Sequence, residues 1–318
     1  MSKILVIGAC GQIGTELTAA LRLKYGQDQV LAADVRPLAD TPFDSPPYVQ
    51  LNFMDKMELR TLVLKEKIGV VYHLAAMLSA SGEKQPLVAW DLNMKGLLNV
   101  LDIAKSDQLK VFWPSSIAVF GPTGPKAFSP QHAITEPTTA YGISKVAGEL
   151  WCRYYFDQYG VDVRSIRYPG LISYAALPGG GTTDYAVDIF HQALKYRQYT
   201  SFIKAHTALP MMYMADAVRA TLELMDARAE KLTVRTGYNV HALSFTPEQL
   251  AMEIERHLPT FKMFYKPDSR QLIADSWPTS VDDRHARNDW GWQPEYDLSA
   301  MVTDMLTHLK QKLQYTGA

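Results

Sequence analysis

Tyr141 and Lys145 stand four residues apart, at the head of a run to Tyr159 that reads as a helix. Residues i and i+4 share one helix face, so a phenol and an ammonium would project into the same space. A tyrosine titrates near pH 10 and is a poor base at neutral pH. A neighbouring cation favours its phenolate and makes it usable for proton transfer. An ordinary amphipathic helix also carries such pairs, so the chemistry depends on what the rest of the chain sets beside this one.

The first element supplies a partner. Residues 3–8 are a short apolar, β-branched run, as expected of a parallel strand buried on both faces. It runs into Gly8-Ala-Cys10-Gly11-Gln12-Ile13-Gly14 and then a helical pattern over 15–23. Strand, glycine turn and helix in that order form a phosphate site, because glycines let backbone N–H groups approach a pyrophosphate at the positive end of the helix. The spacing G-x-x-G-x-x-G matches the commoner dinucleotide fingerprint in part. A second strand over 30–33 ends in Asp34, twenty residues after Gly14, where a carboxylate would accept hydrogen bonds from an adenine ribose. An acid there repels a 2′-phosphate and favours NAD over NADP, a preference that Arg36 tempers.

Further strand-then-helix units predict a Rossmann-type α/β fold, a doubly wound parallel sheet. Residues 48–51 lead to Asn52 and Phe53, then a helix over 55–66. The strand over 70–74 ends in Leu74, Ala75 and Ala76, and a helix over 86–104 contains Asn93. Another strand over 110–114 carries Ser115 and Ser116 at its carboxyl end. Ligands in such sheets bind at the carboxyl ends of the strands, which places Leu74, Ala75, Ser79, Ser115 and Ser116 near the cofactor. For any one serine, a solvated loop or a helix cap is the plainer reading. A sixth strand over 161–167 delivers Tyr168-Pro169-Gly170, a turn whose backbone can approach a ligand closely.

The chain of 318 residues has a net charge of −1 and no basic run, which argues against nucleic acid. No apolar run approaches the ~20 residues that span a bilayer. The first residues enter a strand at once and leave no room for a signal peptide. Cys10 and Cys152 are the two cysteines, as suits a reducing cytoplasm. Cys10 lies at a helix start, where a thiol pKa can fall, although a packed small residue is the plainer reading. His73, His191, His206 and His285 are scattered without metal-ligand spacing, and no metal site is expected. The glycine-rich stretch 177–184 is the strongest punctuation in the chain. We place the domain boundary near Gly170: an NAD-binding domain over 1–170 and a smaller mixed α/β substrate domain over 171–318, crossing back to the sheet around 235–242. The second part reads as helices over 185–196, 215–227, 246–257 and 298–313, with short strands over 200–203 and 238–240.

Taken together, these motifs resemble the extended short-chain dehydrogenases/reductases. The resemblance rests on Gly8-x-x-Gly11-x-x-Gly14, Asp34, His73-Leu-Ala-Ala76, Asn93, Ser115-Ser-Ile-Ala-Val-Phe-Gly121, Tyr141-x-x-x-Lys145 and Arg167-Tyr-Pro-Gly170, which occur in family order. It implies that Tyr141 transfers the proton, that Lys145 holds the nicotinamide ribose while lowering the tyrosine pKa, and that Ser116 hydrogen-bonds the reacting oxygen. It also implies an NAD site drawing on Gly8 to Gly14, Asp34, Asn52, Phe53, Leu74 to Ala76, Asn93, Ser115, Tyr168 and Gly170. A homodimer built on the helices over 86–104 and 141–159 is implied as well.

Most extended members act on nucleotide sugars and carry an arginine-containing stretch that grips the diphosphate. Here Leu209-Pro-Met-Met-Tyr-Met-Ala-Asp216 stands in that place, without an arginine, and a diphosphate buried without a cation is disfavoured. The usual Gly-Pro after the sixth strand is replaced by Leu171-Ile-Ser-Tyr174. With the loop from Pro178 to Ala186, this stretch is similar to that of the short-chain type L-threonine 3-dehydrogenases. The similarity implies L-threonine as a small zwitterionic substrate. Its carboxylate would meet Ser79, Thr182, Thr183 and the amides up to Gly181, and its ammonium would meet Asp184. A nucleotide-sugar epimerase or dehydratase is the alternative enzyme, and a non-catalytic dinucleotide-binding regulator the alternative without chemistry. The Tyr141/Lys145 pair speaks against the regulator.

Overall fold

The computed structural model describes residues 2–43, 46–177 and 179–316. Pro178, the first residue of the expected substrate loop, therefore lies outside the described residues. Six strands form one parallel sheet: β1 (Lys3–Ile7), β2 (Val30–Asp34), β3 (Tyr48–Gln50), β4 (Ile68–His73), β5 (Lys110–Phe112) and, beyond the two-residue β6 (Ser115–Ser116), β7 (Val163–Arg164). Their order is β3-β2-β1-β4-β5-β7, and the reversal of direction at β1/β4 opens a crevice at the strands' carboxyl ends. Apolar side chains fill both faces of β1 and β2, which is why these strands read as unbroken hydrophobic runs.

Helices cover the sheet on both sides. These are α1 (Gln12–Tyr25), α2 (Lys56–Glu66), the short α3 (Ser79–Lys84), α4 (Pro86–Asp107) and α5 (Ala140–Tyr159). Local chemistry sets their ends. Asp55 caps α2 by accepting from the Met57 and Glu58 amides, and Gly160 closes α5 in the left-handed region at φ 68°. No side chain caps α1, so its first N–H groups stay free behind Gly11. The helix carrying Tyr141 and Lys145, which the sequence pattern places over 145–159, starts at Ala140. Thr139 Oγ1 accepts from the Gly142 amide at 3.0 Å, so Tyr141 lies inside the first turn of α5.

The expected single strand over 161–167 is broken at Ser165. Its second piece, β8 (Ile166–Tyr168), leaves β7 to pair with β6, and β9 (Gly170–Ile172) follows directly. After α6 (Tyr185–Tyr196) and β10 (Gln198–Ser201), strand β11 (Leu209–Tyr213) runs parallel to β9. Then α7 (Met214–Asp226) packs on α1, and β12 (Tyr238–Asn239) pairs with β8. The buried Arg164 guanidinium donates to the Leu224 and Ala227 carbonyls, fastening the end of α7 beneath the sheet. The chain thus returns to the nucleotide-binding layer over residues 209–240, a longer crossing than the one expected around 235–242.

The remainder builds a smaller layer: β13 (Leu243–Phe245), α8 (Pro247–His257), β14 (Lys262–Tyr265), α9 (Arg270–Ser276), α10 (Arg284–Trp290) and α11 (Leu298–Thr316). A core of Phe190, Ile203, Met211, Leu250, Ile254 and Met305 holds α6, α8 and α11 together. Among the described residues no helix is long and apolar enough to cross a membrane.

Candidate active site

A cleft of about 420 Å³ lies at the carboxyl ends of the parallel strands, between the sheet and the substrate loop. At one end the turn after β1 forms a backbone cradle. Gly8 sits at φ 83°, and a Cβ there would stand 2.7 Å from the Ala75 amide nitrogen. A Cβ on Gly14 would meet the Gly8 carbonyl oxygen at 2.2 Å, so glycine alone permits this approach of α1 to β1. Gln12 and Ile13 line the same end with Gly11. The first N–H groups of α1, which no side chain caps, suit a pyrophosphate. Asp34 closes that end, its carboxylate accepting from the Cys10 amide at 3.1 Å, with Arg36 beside it. Cradle, helix start and carboxylate therefore fit an NAD dinucleotide.

The cleft's middle collects the residues the sequence proposes for chemistry. Ser115 and Ser116 from β6, Tyr141 and Lys145 from α5 and Tyr168 from β8 line it, with Leu74, Ala75 and Ala76 after β4 and Phe53 after β3. Lys145 is 2% exposed, and its Nζ donates to the Pro114 carbonyl at 2.6 Å. It lies 4.4 Å from the Trp113 ring centre and 5.4 Å from that of Tyr141. Burial pulls the Lys145 ammonium down to about 7, against Cys152 and Glu149, which favour its charge. Burial pushes the Tyr141 phenol up to about 12, opposed by a hydrogen bond with Ser116. This corrects the expectation that Lys145 would hold the phenol below its usual range. In this cleft burial is the largest influence on both groups.

Ser79 from α3 lines the cleft together with Gly181, Thr182, Thr183 and Asp184. Thr182 is 1% exposed, and its Oγ1 has no hydrogen-bond partner. The Asp184 carboxylate accepts from the Gly180 and Gly181 amides at 2.6 and 2.7 Å, and burial raises its pKa. Besides those amides the Arg270 charge favours the half-buried Asp184 carboxylate, whose chemistry suits a cationic ligand.

Three expected cofactor residues, Asn52, Asn93 and Gly170, are not among the residues that line the cleft. The exposed Asn52 accepts from the Met54 amide and shapes the turn after β3. Asn93 is buried within α4, bonded to both backbone groups of Met77 and to Ser144 Oγ, and so ties α4 to α5. Gly170 gives the loop room, since a Cβ there would meet the Thr183 side chain at 2.6 Å. Conversely, Trp277 lines the cleft beside the substrate loop and carried no signal in the sequence, where it sits in an irregular stretch far from every motif. Leu78, Leu92 and Leu171 add apolar wall. Burial and Asp34 push the Cys10 thiol up to about 11, against the fall that a helix start would bring. Among the described residues no group of three or more His, Cys, Asp or Glu side chains is placed to hold a metal.

Residues 4–240 match the NAD dependent epimerase/dehydratase family. An uncharacterized epimerase/dehydratase of Staphylococcus haemolyticus is 49% identical over 99% of both chains. Among solved structures, an L-threonine dehydrogenase of Cupriavidus necator in its holo form is 56% identical. It superposes with a TM-score of 0.94 over 96% of this chain and 99% of that one. Its apo form superposes at 0.84. A monomeric L-threonine 3-dehydrogenase from a metagenome, in its apo form, is 48% identical with a TM-score of 0.94 over 97% and 99% of the two chains.

Proposed function

The chain belongs to the NAD dependent epimerase/dehydratase family, and from that premise we propose that it oxidises the β-hydroxyl of L-threonine with NAD, giving 2-amino-3-oxobutanoate. The observation that carries this reading is the make-up of the cleft's far end. A Thr182 hydroxyl without a hydrogen-bond partner and the Asp184 carboxylate both come from the loop that lines this end, a pairing suited to a small zwitterion. Arg36 and Lys145 are the only lysine or arginine residues lining the cleft among the described residues, and Arg36 sits at the Asp34 end. Arg270, the nearest cation to influence Asp184, is engaged by Asp268 and lies over the Phe202 ring. A nucleotide-sugar diphosphate would find no cation there.

NAD supplies the hydride acceptor. Ser116 and Tyr141 hold the substrate hydroxyl, and Tyr141 Oη takes its proton as the Cβ–H bond breaks. Lys145, pinned by the Pro114 carbonyl, presents its ammonium to the nicotinamide ribose and to the phenolate. Thr182, Thr183 and Ser79 orient the substrate carboxylate, Asp184 its ammonium, and Trp277 with Leu78 covers the methyl end and excludes water. Asp34 selects NAD over NADP.

A cytoplasmic homodimer completes the reading. Ile143, Leu150 and Tyr154 form an exposed apolar stripe on α5 at helical spacing, with Trp151 beside them and Leu87 and Trp90 exposed on the adjacent α4. A second copy meeting this face by two-fold symmetry would bury it as a four-helix bundle.

The assay is direct. Purified protein with NAD and L-threonine should generate NADH absorbance, with NADP at least about tenfold less efficient. UDP-glucose in a parallel reaction, analysed chromatographically for UDP-galactose or a dehydrated sugar, should remain unchanged. Sugar conversion without threonine oxidation would replace this reading with the epimerase/dehydratase one.

A further inference from the structure

Directly behind the Tyr141–Lys145 pair lies a polar network that contributes no atom to the cleft beyond Ser115. Glu149, one turn after Lys145 on α5, is 3% exposed, and Arg167 on β8 is 4% exposed. Arg167 grips the Glu149 carboxylate with two prongs, Nε to Oε1 at 2.8 Å and Nη2 to Oε2 at 2.7 Å. Ser115 Oγ donates to the same Oε1 at 2.6 Å. The guanidinium also donates to the Gln131 carbonyl and to Asn239 Oδ1. Gln131 in turn holds the Gly237 carbonyl and the Asn239 amide. Gly237 is pressed against the carboxylate, since a Cβ there would stand 2.6 Å from Glu149 Oε1.

A buried ion pair of this kind stabilises poorly, because desolvation offsets most of its attraction, and apolar side chains of similar volume often serve stability better. Its placement suggests a different use. Ser115 adjoins Ser116 in the chain and pairs with Arg167 in the β6–β8 register, so the carboxylate couples the strand end bearing Ser116 to the helix bearing Tyr141 and Lys145. We propose that Glu149 is a positioning residue. It fixes the separation of Ser116 from Tyr141 and supplies the anion that keeps Lys145 cationic. This rests on the dehydrogenase reading only for its effect on turnover.

The surroundings of Lys145 single Glu149 out. Tyr141, Glu149 and Cys152 face it from its own helix, His73 from β4, and the Trp113 ring and Pro114 carbonyl from the strand end, while Arg167 is paired to Glu149. Burial holds the Cys152 thiol protonated well above its usual range. It also holds His73 neutral, pushed down to about 3 by burial and by the Lys145 charge. Glu149 is therefore the anion that acts on Lys145 near neutral pH.

The test titrates the Lys145 ammonium by NMR in lysine-labelled protein, with kcat measured in parallel, for wild type, Glu149→Gln and Gly237→Ala. Glu149→Gln keeps the shape of the side chain and removes its charge. The Lys145 midpoint should fall by about half a pH unit or more, and kcat by about tenfold. Gly237→Ala touches no cleft residue but displaces the carboxylate, and kcat should fall about threefold. Folded variants with the wild-type Lys145 midpoint and kcat within about twofold would overturn the proposal, as would a lower Tm with both readouts unmoved. If Glu149→Gln does not fold, Gly237→Ala and Ser115→Ala decide by the same two readouts. A wild type inactive toward L-threonine would refute the substrate reading, and the NMR titration would still decide the role of Glu149.

Discussion

Residue types and spacing made Tyr141, Lys145 and Ser116 legible as a chemical unit, but their ionisation was not. The expectation rested on a two-body argument in which a cation beside a phenol lowers its pKa. Burial of both groups reverses that outcome, leaving Tyr141 at about 12 and Lys145 at about 7. Below a pKa near 12 the phenolate fraction grows about tenfold per pH unit, while the Lys145 ammonium is lost above about 7, so the rate of oxidation should climb up to about pH 7 and level off above it. Initial rates of NADH formation between about pH 5 and pH 10 check the sign, and a rate that falls between about pH 5 and pH 7 would remove Tyr141 as the base. Tyr141→Phe should lower kcat at least about 100-fold while the NAD dissociation constant stays within about threefold. Activity within about tenfold of wild type would sink the assignment. Thr182 and Asp184 were readable as a loop unit. Trp277 was not, since nothing local marks a tryptophan that only the packing of α9 brings to the cleft.

Periodicity and capping carry much of the element scale. Asp55 before α2, Thr246 before α8 and the two glycines that end α5 and begin α1 all stand where a helix boundary needs them. Where the sequence reading departs from the structure, a tertiary contact overrides local pattern. The run over 161–167 looks like one strand, yet it breaks at Ser165 because β8 must pair with β6 while β7 stays with β5. Asn93 fits a family motif, but its amide is used on Met77 and Ser144. The glycine turn is the element most exposed to a direct test. Gly14→Ala would drive a methyl into the Gly8 carbonyl and displace α1 from β1. NAD affinity, read by fluorescence titration with NADH, should fall at least about tenfold. Unchanged affinity would mean that the phosphate cradle lies elsewhere.

For the whole molecule, the boundary at Gly170 divides the sequence more cleanly than it divides the fold. The stretch 209–240 returns to the nucleotide-binding layer, and α7 packs on α1. The exposed stripe on α4 and α5 belongs to this scale too, because it is continuous only once the two helices lie side by side. Leu150→Glu or Tyr154→Glu should convert the proposed dimer to a monomer in sedimentation velocity. A wild-type protein sedimenting as a monomer, like the metagenomic relative described as such, would overturn the dimer.

By itself the sequence determined the parallel sheet, the glycine cradle, Asp34 and the Tyr141–Lys145 pair, because each depends on spacing within a single element or turn. Tertiary structure decided the rest: how strongly burial shifts the pair's ionisation, that the cleft's lining leaves out Asn52, Asn93 and Gly170, that it takes in Trp277, and that Glu149 and Arg167 join α5 to β6 and β8. These depend on desolvation and on contacts between distant segments. The Tyr141–Lys145 pair was visible as a motif, but the groups that hold it in place become visible only when residues 115, 149, 167 and 237 meet in space.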